Sequence, residues 1–534
     1  MLIPKELILR PKPVPISEFD LTQSCPSRII ACPNPPIEAV EAGCAIAISD
    51  SSFEVRQVLK QLPADFQPDL VHLSARVMSF QPRGLEKLNC PVVMKLGDTF
   101  HLGDGGLSQM VQYCRKLNCD YHWTYQSPQH LHFFAESGLN NVFWLPASIV
   151  LDPYIPPPSE KSYDVIFRGS KSELHCYRDR VLAWLPSLDV QTKTYIESLK
   201  DYTKAQIVMN TSLNGDLNRR VFEVLMAGGF LLTDRIRPQT GLFELFQEGI
   251  HLECYGSKSE LIEKTQFYLA HPEQAAQIAA TGHQKFWDHY SPQATQQKLY
   301  RYIFDHEIEP PFERQHDRRS HSFKLAPRIK LYELIQELHR LNTTLEILCW
   351  KVCPEIVSDL ADLPRSQATY IVEPNLLSPF TPTDPQPSIN SPSRLPTHSN
   401  FGIVVLDGTH PFKTLQQEIQ DCVALLKPQG FLMIVQPRFT TIQRLNQYLE
   451  QHHCTPIQLS IELFQQNYQL ALNQHGLIYQ KILPEAEIKH IDSMKNLSVN
   501  HISSAKVIQQ QIKNFAIVRF LRSIRALLHR HTPS

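Results

Sequence analysis

The sequence predicts an α/β protein with two Rossmann-like domains, a third α/β domain and a C-terminal helix. Short apolar runs alternate with longer helix-compatible segments, which is typical of parallel sheets covered by helices. A Pro-rich stretch at 151–161 interrupts this alternation, which then restarts, so it indicates a hinge between two such domains. A chain of 534 residues with 42% hydrophobic residues can build several packed cores.

The first domain is predicted at residues 1–155. Its apolar runs read as buried strands because each is short and bounded by polar or turn-forming residues. The predicted strands lie at 44–49, 69–75, 91–98 and 141–147. Polar helix-compatible segments separate these runs, which favours a parallel sheet.

The second domain is predicted at 156–304, with strands at 163–170, 205–210 and 229–234. Its most informative segment is 210–229, NTSLNGDLNRRVFEVLMAGG, whose apolar residues predict one buried helix face. Unpaired N–H groups at a helix start favour phosphate. A carboxylate one turn later, Glu223, can accept hydrogen bonds from ribose hydroxyls. The segment therefore predicts a site for a nucleotide that carries a sugar.

The segment 210–291 resembles the CgeB-like glycosyltransferases, which belong with the group 1 glycosyltransferases of two-domain GT-B fold. The similarity includes the RVFE helix, the LLTD strand, an LF…G…Y segment, YLAHP and AATG in the family's order. It implies metal-independent, hexosyl-type transfer from a nucleotide sugar to an acceptor hydroxyl, without a cofactor. It also implies the GT-B arrangement of the two domains, and we expect the helix at 291–304 to cross back to the first domain.

The resemblance also names candidate donor-binding residues. Arg168 follows the first strand of the second domain, where the family places a loop near the phosphates, and the RxFE motif favours Arg220 over Arg219. For Glu223 the alternative is an internal ion pair with Arg220, and for a glycine of the GG pair it is a helix C-cap. The candidate donor-binding residues are Arg168, Gly169, Asn210, Ser212, Arg220, Glu223, Gly228 and Gly229.

In the first domain, KLGDTFHLGDGG places Asp98 and His101 just after a predicted strand. CgeB-like proteins often have Gly-Asp-Thr-His-His here, and this chain has Phe100 in place of the first histidine. Asp98 and His101 are the candidate catalytic residues: either could accept the acceptor proton if the reaction inverts the anomeric centre, and both would only orient sugar hydroxyls if it retains it. The alternative is that Asp98 caps a turn and His101 is a loop histidine.

A linker is predicted at 305–329 and a third domain at 330–490. The run FGIVVLDGTHPFKTLQQEIQDCVALLKPQGFLMIV resembles the later half of a class I methyltransferase. The family's glycine-rich loop is missing, because LEILCWKVCPEIV contains no glycine. We therefore expect a degenerate methyltransferase-like domain, with methyl transfer as one alternative function and a non-catalytic nucleotide-sugar-binding or assembly protein as another.

The tail at 491–534 predicts a basic amphipathic helix, which can pack on its own domain or contact an anionic membrane surface peripherally. A net charge of −1 and a pI near 7.1 argue against nucleic acid as a partner. The cysteines lack the spacing of a zinc site and predict reduced thiols. No signal peptide or bilayer-spanning run is evident, so we expect a cytoplasmic protein.

Overall fold

The computed structural model divides the chain into two compact units. One unit contains Met1–Lys171 and Arg180–Ser320, and the other contains Ser172–Asp179 and His321–Ser534. The structure describes residues 3–19, 21, 27–75, 79–97, 99, 106–146, 160–169, 176–188, 192–193, 199–212, 215–307, 325, 328–329, 331–333, 335–336, 346–350, 352, 356, 359–360, 369–372, 401–408, 411–435, 444, 454–456 and 476–481.

The first unit begins with a seven-stranded sheet in which all neighbours are parallel, in the order β3-β2-β1-β5-β7-β8-β9. Two further strands, β4 and β6, pair separately. The strands are β1 (Glu6–Leu9), β2 (Arg28–Cys32), β3 (Ala45–Ala47), β4 (Ser52–Glu54), β5 (Leu70–Ser74), β6 (Gln81–Arg83), β7 (Val92–Lys95), β8 (Tyr121–Thr124) and β9 (Val142–Trp144). The helices are α1 (Ile37–Glu41), α2 (Val55–Leu59), α3 (Leu107–Leu117) and α4 (Leu131–Glu136).

A second parallel sheet follows in the same unit, with the order β11-β10-β12-β13-β14. Its strands are β10 (Tyr163–Phe167), β11 (Thr192–Lys193), β12 (Ala205–Met209), β13 (Leu231–Asp234) and β14 (Glu253–Tyr255). The helices are α5 (Cys176–Leu182), α6 (Arg219–Ala227), α7 (Leu242–Leu245), α8 (Lys258–Ala270), α9 (Pro272–His289) and α10 (Pro292–Tyr300). A 3-10 helix, Leu199–Lys204, leads directly into β12.

Helix α10 returns to the first sheet, as the sequence suggested. Leu299 and Tyr300, with Tyr302 and Ile303 of the following π-helical turn, join the apolar core formed by strands β5 and β7 to β9. The ring of Tyr302 stacks on Phe143 with 4.1 Å between centroids. The end of the second predicted domain therefore completes the core of the first.

Two further contacts join the sheets of this unit near their carboxyl edges. The backbone N–H of Leu217 donates to Ser127 Oγ at 2.7 Å. Trp144, at the end of β9, covers Gly241, where an added Cβ would lie 2.2 Å from the indole ring. Gly241 also has a φ of +84°, so both its backbone and the indole favour glycine.

The second unit contains a six-stranded sheet in the order β16-β15-β17-β18-β20-β19. Strands β15 to β18 pair in parallel, whereas β20 runs antiparallel to both of its neighbours. Leu415, Ile419 and Cys422 of the only long helix described in this unit, α11, pack on the sheet. The elements are β15 (Ile347–Trp350), β16 (Thr369–Val372), β17 (Phe401–Asp407), α11 (Phe412–Leu425), β18 (Leu426–Val435), β19 (Cys454–Pro456) and β20 (Gly476–Lys481).

Every predicted strand named above coincides with an observed one, although β1, β2, β4, β6, β8, β11 and β14 of the first unit were not predicted. The tail at 491–534 and most of the predicted linker lie outside the described residues. None of the helices in the described part of the chain combines the length and apolarity needed to span a bilayer.

Candidate functional site

Most of the predicted donor-binding residues meet at the carboxyl edge of the second sheet. Arg168 follows β10, Asn210 follows β12, and Asp234 ends β13, three strands that lie side by side. Tyr255, at the end of β14, donates its hydroxyl to the Asn210 carbonyl at 2.9 Å. Ligands of parallel α/β sheets bind at this edge, because the loops and helix starts converge there.

Helix α6 begins at this edge, and its position is fixed at both ends. Asn218 caps the start by accepting from the backbone N–H of Arg220 at 3.1 Å. At the other end, His283 and Trp287 of α9 donate to the carbonyls of Leu225 and Met226 at 2.9 and 3.2 Å. These bonds satisfy carbonyls that a helix end leaves unpaired, and they set the direction in which α6 points.

Glu223 lies one turn into α6 and is the central carboxylate of the site. Its side chain is 10% exposed, and its two oxygens have different partners. Arg219 Nε lies 2.7 Å from Oε1, while the Tyr202 hydroxyl donates to Oε2 at 3.1 Å and Arg168 Nη1 lies 3.5 Å from Oε2. An ion pair at Glu223 was one alternative, but the partners are Arg219 and Arg168 rather than Arg220.

Arg220 turns away from Glu223 and stacks on the ring of Phe167, with its guanidinium carbon 4.8 Å from the centroid. Its Nη1 donates to Asn210 Oδ1 at 2.5 Å. A Cβ on Gly169 would lie 2.6 Å from Arg220 Nη2, so glycine leaves the space that the guanidinium occupies. Burial lowers the pKa of the Arg220 guanidinium, and the charge of Arg168 acts in the same direction, yet the group stays cationic.

The ends of β12 and β13 are tied together by buried polar groups. Ser212 donates to the Asp234 carboxylate through its backbone N–H at 2.9 Å and its hydroxyl at 2.5 Å. Asn210 Nδ2 donates to Thr233 Oγ1 at 2.8 Å. Asn210 therefore connects Arg220 to the sheet, and Ser212 fixes the loop that leads towards α6.

Gly228 and Gly229 have structural explanations of their own. Gly228 ends α6 with a φ of +77° and donates to the Leu225 carbonyl, which is the C-cap alternative. At Gly229 a Cβ would lie 3.1 Å from both Val208 and Val224. Both glycines thus allow α6 to pack closely on β12 and β13, and a direct role in ligand binding stays a prediction.

The predicted catalytic residues of the first domain, Asp98 and His101, lie outside the described residues. Thr99, between them, is described and buried, and its hydroxyl is 2.7 Å from Nδ1 of His130. His130 follows β8 in the segment that also carries Ser127, the residue bonded to Leu217. Thr99 is therefore attached to the segment that contacts Leu217 of the second domain.

The site combines three guanidinium groups, those of Arg168, Arg219 and Arg220, with the carboxylates of Glu223 and Asp234. The three cations outnumber the two carboxylates, so this edge attracts anions, while Glu223 supplies an acceptor for hydroxyl groups. Within the part of the chain that the structure describes, no group of three His, Cys, Asp or Glu side chains is arranged to hold a metal ion.

Sequence reasoning missed four buried polar residues of this site, Tyr202, Thr233, Asp234 and Tyr255. Thr233 and Tyr255 belong to strands, and a polar side chain in an apolar run was the available signal for Thr233. Tyr202 gives no such signal, because it contacts Glu223 across 21 residues of sequence. Its role becomes visible only when the 3-10 helix and α6 are placed side by side.

Comparison with solved structures finds distant similarity over just over half of the chain. HepE from Anabaena in complex with UDP and glucose is 11% identical, with 56% of this chain and 99% of that chain covered and a TM-score of 0.40. Sucrose-phosphate synthase from Thermosynechococcus elongatus is 13% identical, with 57% and 100% covered and a TM-score of 0.39. A glycosyltransferase from Rickettsia africae is 11% identical, with 56% and 98% covered and a TM-score of 0.37.

No curated protein sequence matches the chain. A family model does match, over residues 189–301, and its description is "Glycosyl transferase-like". The matched residues include the 3-10 helix, β12, α6 and β13, and hence Tyr202, Asn210, Glu223 and Asp234. The segment that carries most of the candidate site is therefore similar in sequence to the glycosyl transferase-like family.

Proposed function

We propose that this chain transfers a hexosyl unit from a nucleotide sugar to an acceptor hydroxyl. The observation that carries the proposal is Glu223, a nearly buried carboxylate at the head of α6, held among guanidinium groups at the carboxyl edge of a parallel sheet. A nucleotide sugar offers hydroxyls for the carboxylate and a diphosphate for the cations. The family match over 189–301 supports the same conclusion independently.

In this proposal Glu223 accepts hydrogen bonds from the ribose hydroxyls of the donor. Arg168 and Arg220, with the start of α6, stabilise the diphosphate and the negative charge that grows on it as the sugar departs. Gly169, Asn210 and Ser212 position these groups, and Gly228 and Gly229 let α6 approach the sheet. The cations replace a divalent metal ion, so we propose that transfer needs neither metal nor cofactor.

The reaction breaks the bond between the anomeric carbon and the diphosphate oxygen and forms a bond to the acceptor oxygen. The nucleoside diphosphate leaves with the bonding electron pair, and the acceptor hydroxyl loses its proton. Asp98 or His101 is proposed to accept that proton, from the loop after β7. The activation free energy of cleavage is lower when arginines are already paired with the leaving diphosphate. Supplying these arginines is the role proposed for the second domain.

Other features of the proposal rest on the sequence. The CgeB-like resemblance over 210–291 favours a GT-B arrangement of the first two domains. A cytoplasmic location is proposed because the cysteines are predicted to be reduced thiols, and the acceptor is proposed to be a glycan, a lipid-linked molecule or a protein. The basic tail at 491–534 would give peripheral membrane contact if the acceptor is a lipid.

The first test measures release of nucleoside diphosphate from a panel of UDP-, GDP-, ADP- and CDP-sugars by the purified chain. Slow hydrolysis, with water in place of the acceptor, is expected from one donor and should fall at least about tenfold in Glu223→Gln. Glu244→Gln is the matched control, because Glu244 is exposed on α7 of the same domain. Loss of release in both variants, or in neither, would contradict the role of Glu223.

A second measurement repeats the release assay in excess EDTA. If arginines perform the work of a metal, the rate stays unchanged, and added Mg²⁺ or Mn²⁺ has no effect. A rate that disappears in EDTA and returns with a divalent cation would refute metal independence while leaving sugar transfer intact. Binding of a nucleotide sugar without release of nucleoside diphosphate would instead favour a non-catalytic nucleotide-sugar-binding or assembly protein.

A further inference from the structure

Among the described residues, only Tyr202 donates a hydrogen bond to Glu223 from a fully buried side chain. It lies on the 3-10 helix before β12, its hydroxyl donates to Glu223 Oε2 at 3.1 Å, and its side chain is inaccessible to solvent. Burial, together with the charge of Glu223, raises the pKa of the Tyr202 hydroxyl, so the phenol keeps its proton. It can therefore act only as a donor to the carboxylate near neutral pH.

The other groups that hold Glu223 are much more exposed. The side chain of Arg219 is 49% exposed and that of Arg168 is 36% exposed. Ion pairs to such exposed arginines contribute little and exchange partners easily, because the guanidinium groups are also well hydrated. A bound diphosphate would compete with Glu223 for both arginines, whereas it could not reach the buried hydroxyl of Tyr202.

The surroundings of Tyr202 leave it little freedom to move. Its ring belongs to the core cluster that includes Val208, Phe222 and Leu225. Its carbonyl lies 3.3 Å from where a Cβ on Gly229 would be, so the backbone is packed as closely as the ring. Close packing on every side keeps the hydroxyl at a fixed place in the site.

We propose that Tyr202 is a positioning residue that makes the site selective for ribonucleotides over 2′-deoxyribonucleotides. The inference rests on the proposed function, in which Glu223 accepts from the ribose hydroxyls. The bond to Oε2 fixes the carboxylate plane, so that its free lone pairs meet the 2′- and 3′-hydroxyls together. Without that bond only the half-exposed Arg219 and Arg168 hold the carboxylate, and the 2′-hydroxyl loses a pre-positioned acceptor.

The experiment is calorimetric titration of the full chain with UDP, GDP and ADP and with their 2′-deoxy counterparts. For the nucleotide that binds, the wild-type protein should prefer the ribo form by about tenfold. Tyr202→Phe should lower the ratio of ribo to 2′-deoxy affinity to about twofold or less. The ratio should fall because the ribonucleotide binds more weakly, while affinity for the deoxy form stays unchanged. Tyr113→Phe is the matched control, since Tyr113 is a buried tyrosine of the first domain whose hydroxyl donates to the Phe80 carbonyl.

A thermodynamic cycle with Glu223→Ala separates positioning from a general loss of structure. If Tyr202 acts through Glu223, adding Tyr202→Phe to Glu223→Ala changes the ratio no further. A ratio that falls in Glu223→Ala but persists in Tyr202→Phe would overturn the inference and leave the proposed function standing. Absence of binding by every nucleotide in the wild-type protein would overturn the proposed function and the inference with it.

Discussion

Two buried glutamates, Glu6 in the first sheet and Glu223 in the second domain, have similar partners but different surroundings. The Glu6 side chain is 4% exposed, and it accepts from Arg28 Nε at 2.8 Å, Tyr300 at 2.9 Å and His72 at 3.0 Å. Glu223 also accepts from a tyrosine and pairs with arginines. A carboxylate held by cations is therefore not by itself the mark of a ligand site.

Position in the sheet distinguishes the two glutamates, since Arg28, the arginine that holds Glu6, is 44% exposed and so as accessible as the arginines of Glu223. Glu6 is the first residue of β1, at the amino edge, and its partners belong to β2, β5 and α10. Its bond to Tyr300 attaches the returning helix α10 to the first sheet. Glu223 lies at a carboxyl edge, where ligands of parallel α/β sheets bind. We interpret the Glu6 network as structural and the Glu223 network as able to exchange partners for a ligand.

The largest expected effect is that of Glu6→Ala on stability. Removing the carboxylate leaves Arg28, His72 and Tyr300 without their shared acceptor, and we expect the free energy of unfolding to fall by about 4 kcal/mol. Chemical denaturation measures the loss. Glu41→Ala, on the exposed surface of α1, is the control and should change stability by less than about 0.5 kcal/mol. An equally small effect of Glu6→Ala would show that the Glu6 network does not stabilise the fold.

A second prediction uses pH to test the same network. Burial alone would raise the pKa of the Glu6 carboxyl, but the hydrogen bond and charge of His72 and the charge of Arg28 outweigh it and lower the pKa from 4.5 to about 2. The stabilisation is therefore complete above pH 4.5 and is lost as the pH falls towards 2. It amounts to about 3 kcal/mol.

The measurement is the free energy of unfolding between pH 6 and pH 2, chosen to span the interval between the two pKa values. Wild-type protein should lose more stability across this interval than Glu6→Gln, whose side chain does not titrate. Parallel curves for the two proteins would show that Glu6 has an ordinary pKa in the folded state.

The third prediction concerns Glu223, for which we expect a smaller free-energy change. Glu223→Gln keeps the shape of the side chain and an acceptor for Tyr202, so we expect stability to change by less than about 1 kcal/mol. Affinity for a nucleoside diphosphate should fall about tenfold, or about 1.4 kcal/mol, because a neutral amide is a weaker acceptor for ribose hydroxyls. Calorimetry and denaturation of the same preparations provide both values. A large stability loss with unchanged affinity would place Glu223 in the same class as Glu6.

The smallest expected effect is that of Gly169→Ala. The new methyl group would lie 2.6 Å from Arg220 Nη2 and 2.9 Å from the Phe167 ring, so the guanidinium has to shift. We expect affinity for a nucleoside diphosphate to fall about threefold, with little change in stability, since the movement is at the end of a flexible side chain. Unchanged affinity would show that Arg220 need not keep its place on Phe167.

The sequence predicts the local parts of the site well and the long-range parts poorly. Helix α6 was predicted because its apolar face and terminal glycines lie within twenty consecutive residues, although its N-cap, Asn218, was not predicted. Arg28, His72 and Tyr300 hold Glu6 although they lie 22, 66 and 294 positions away in the sequence, so no local pattern could connect them. Gly282, in the AATG motif, is explained only by the fold, because a Cβ there would lie 2.2 Å from the His251 carbonyl oxygen.

The most direct test of the central claim is a thermal-shift screen of wild-type protein and Glu223→Gln. The ligands are UDP, GDP, ADP, CDP, their sugars and S-adenosylmethionine. A ligand that binds only the folded state adds about 2.7 kcal/mol of stability at a hundred times its Kd. We predict that one nucleoside diphosphate and its sugar raise the Tm of the wild-type protein, and that Glu223→Gln weakens this shift. No shift with any nucleotide, or a shift with S-adenosylmethionine alone, would contradict a nucleotide-sugar site at the carboxyl edge of the second sheet.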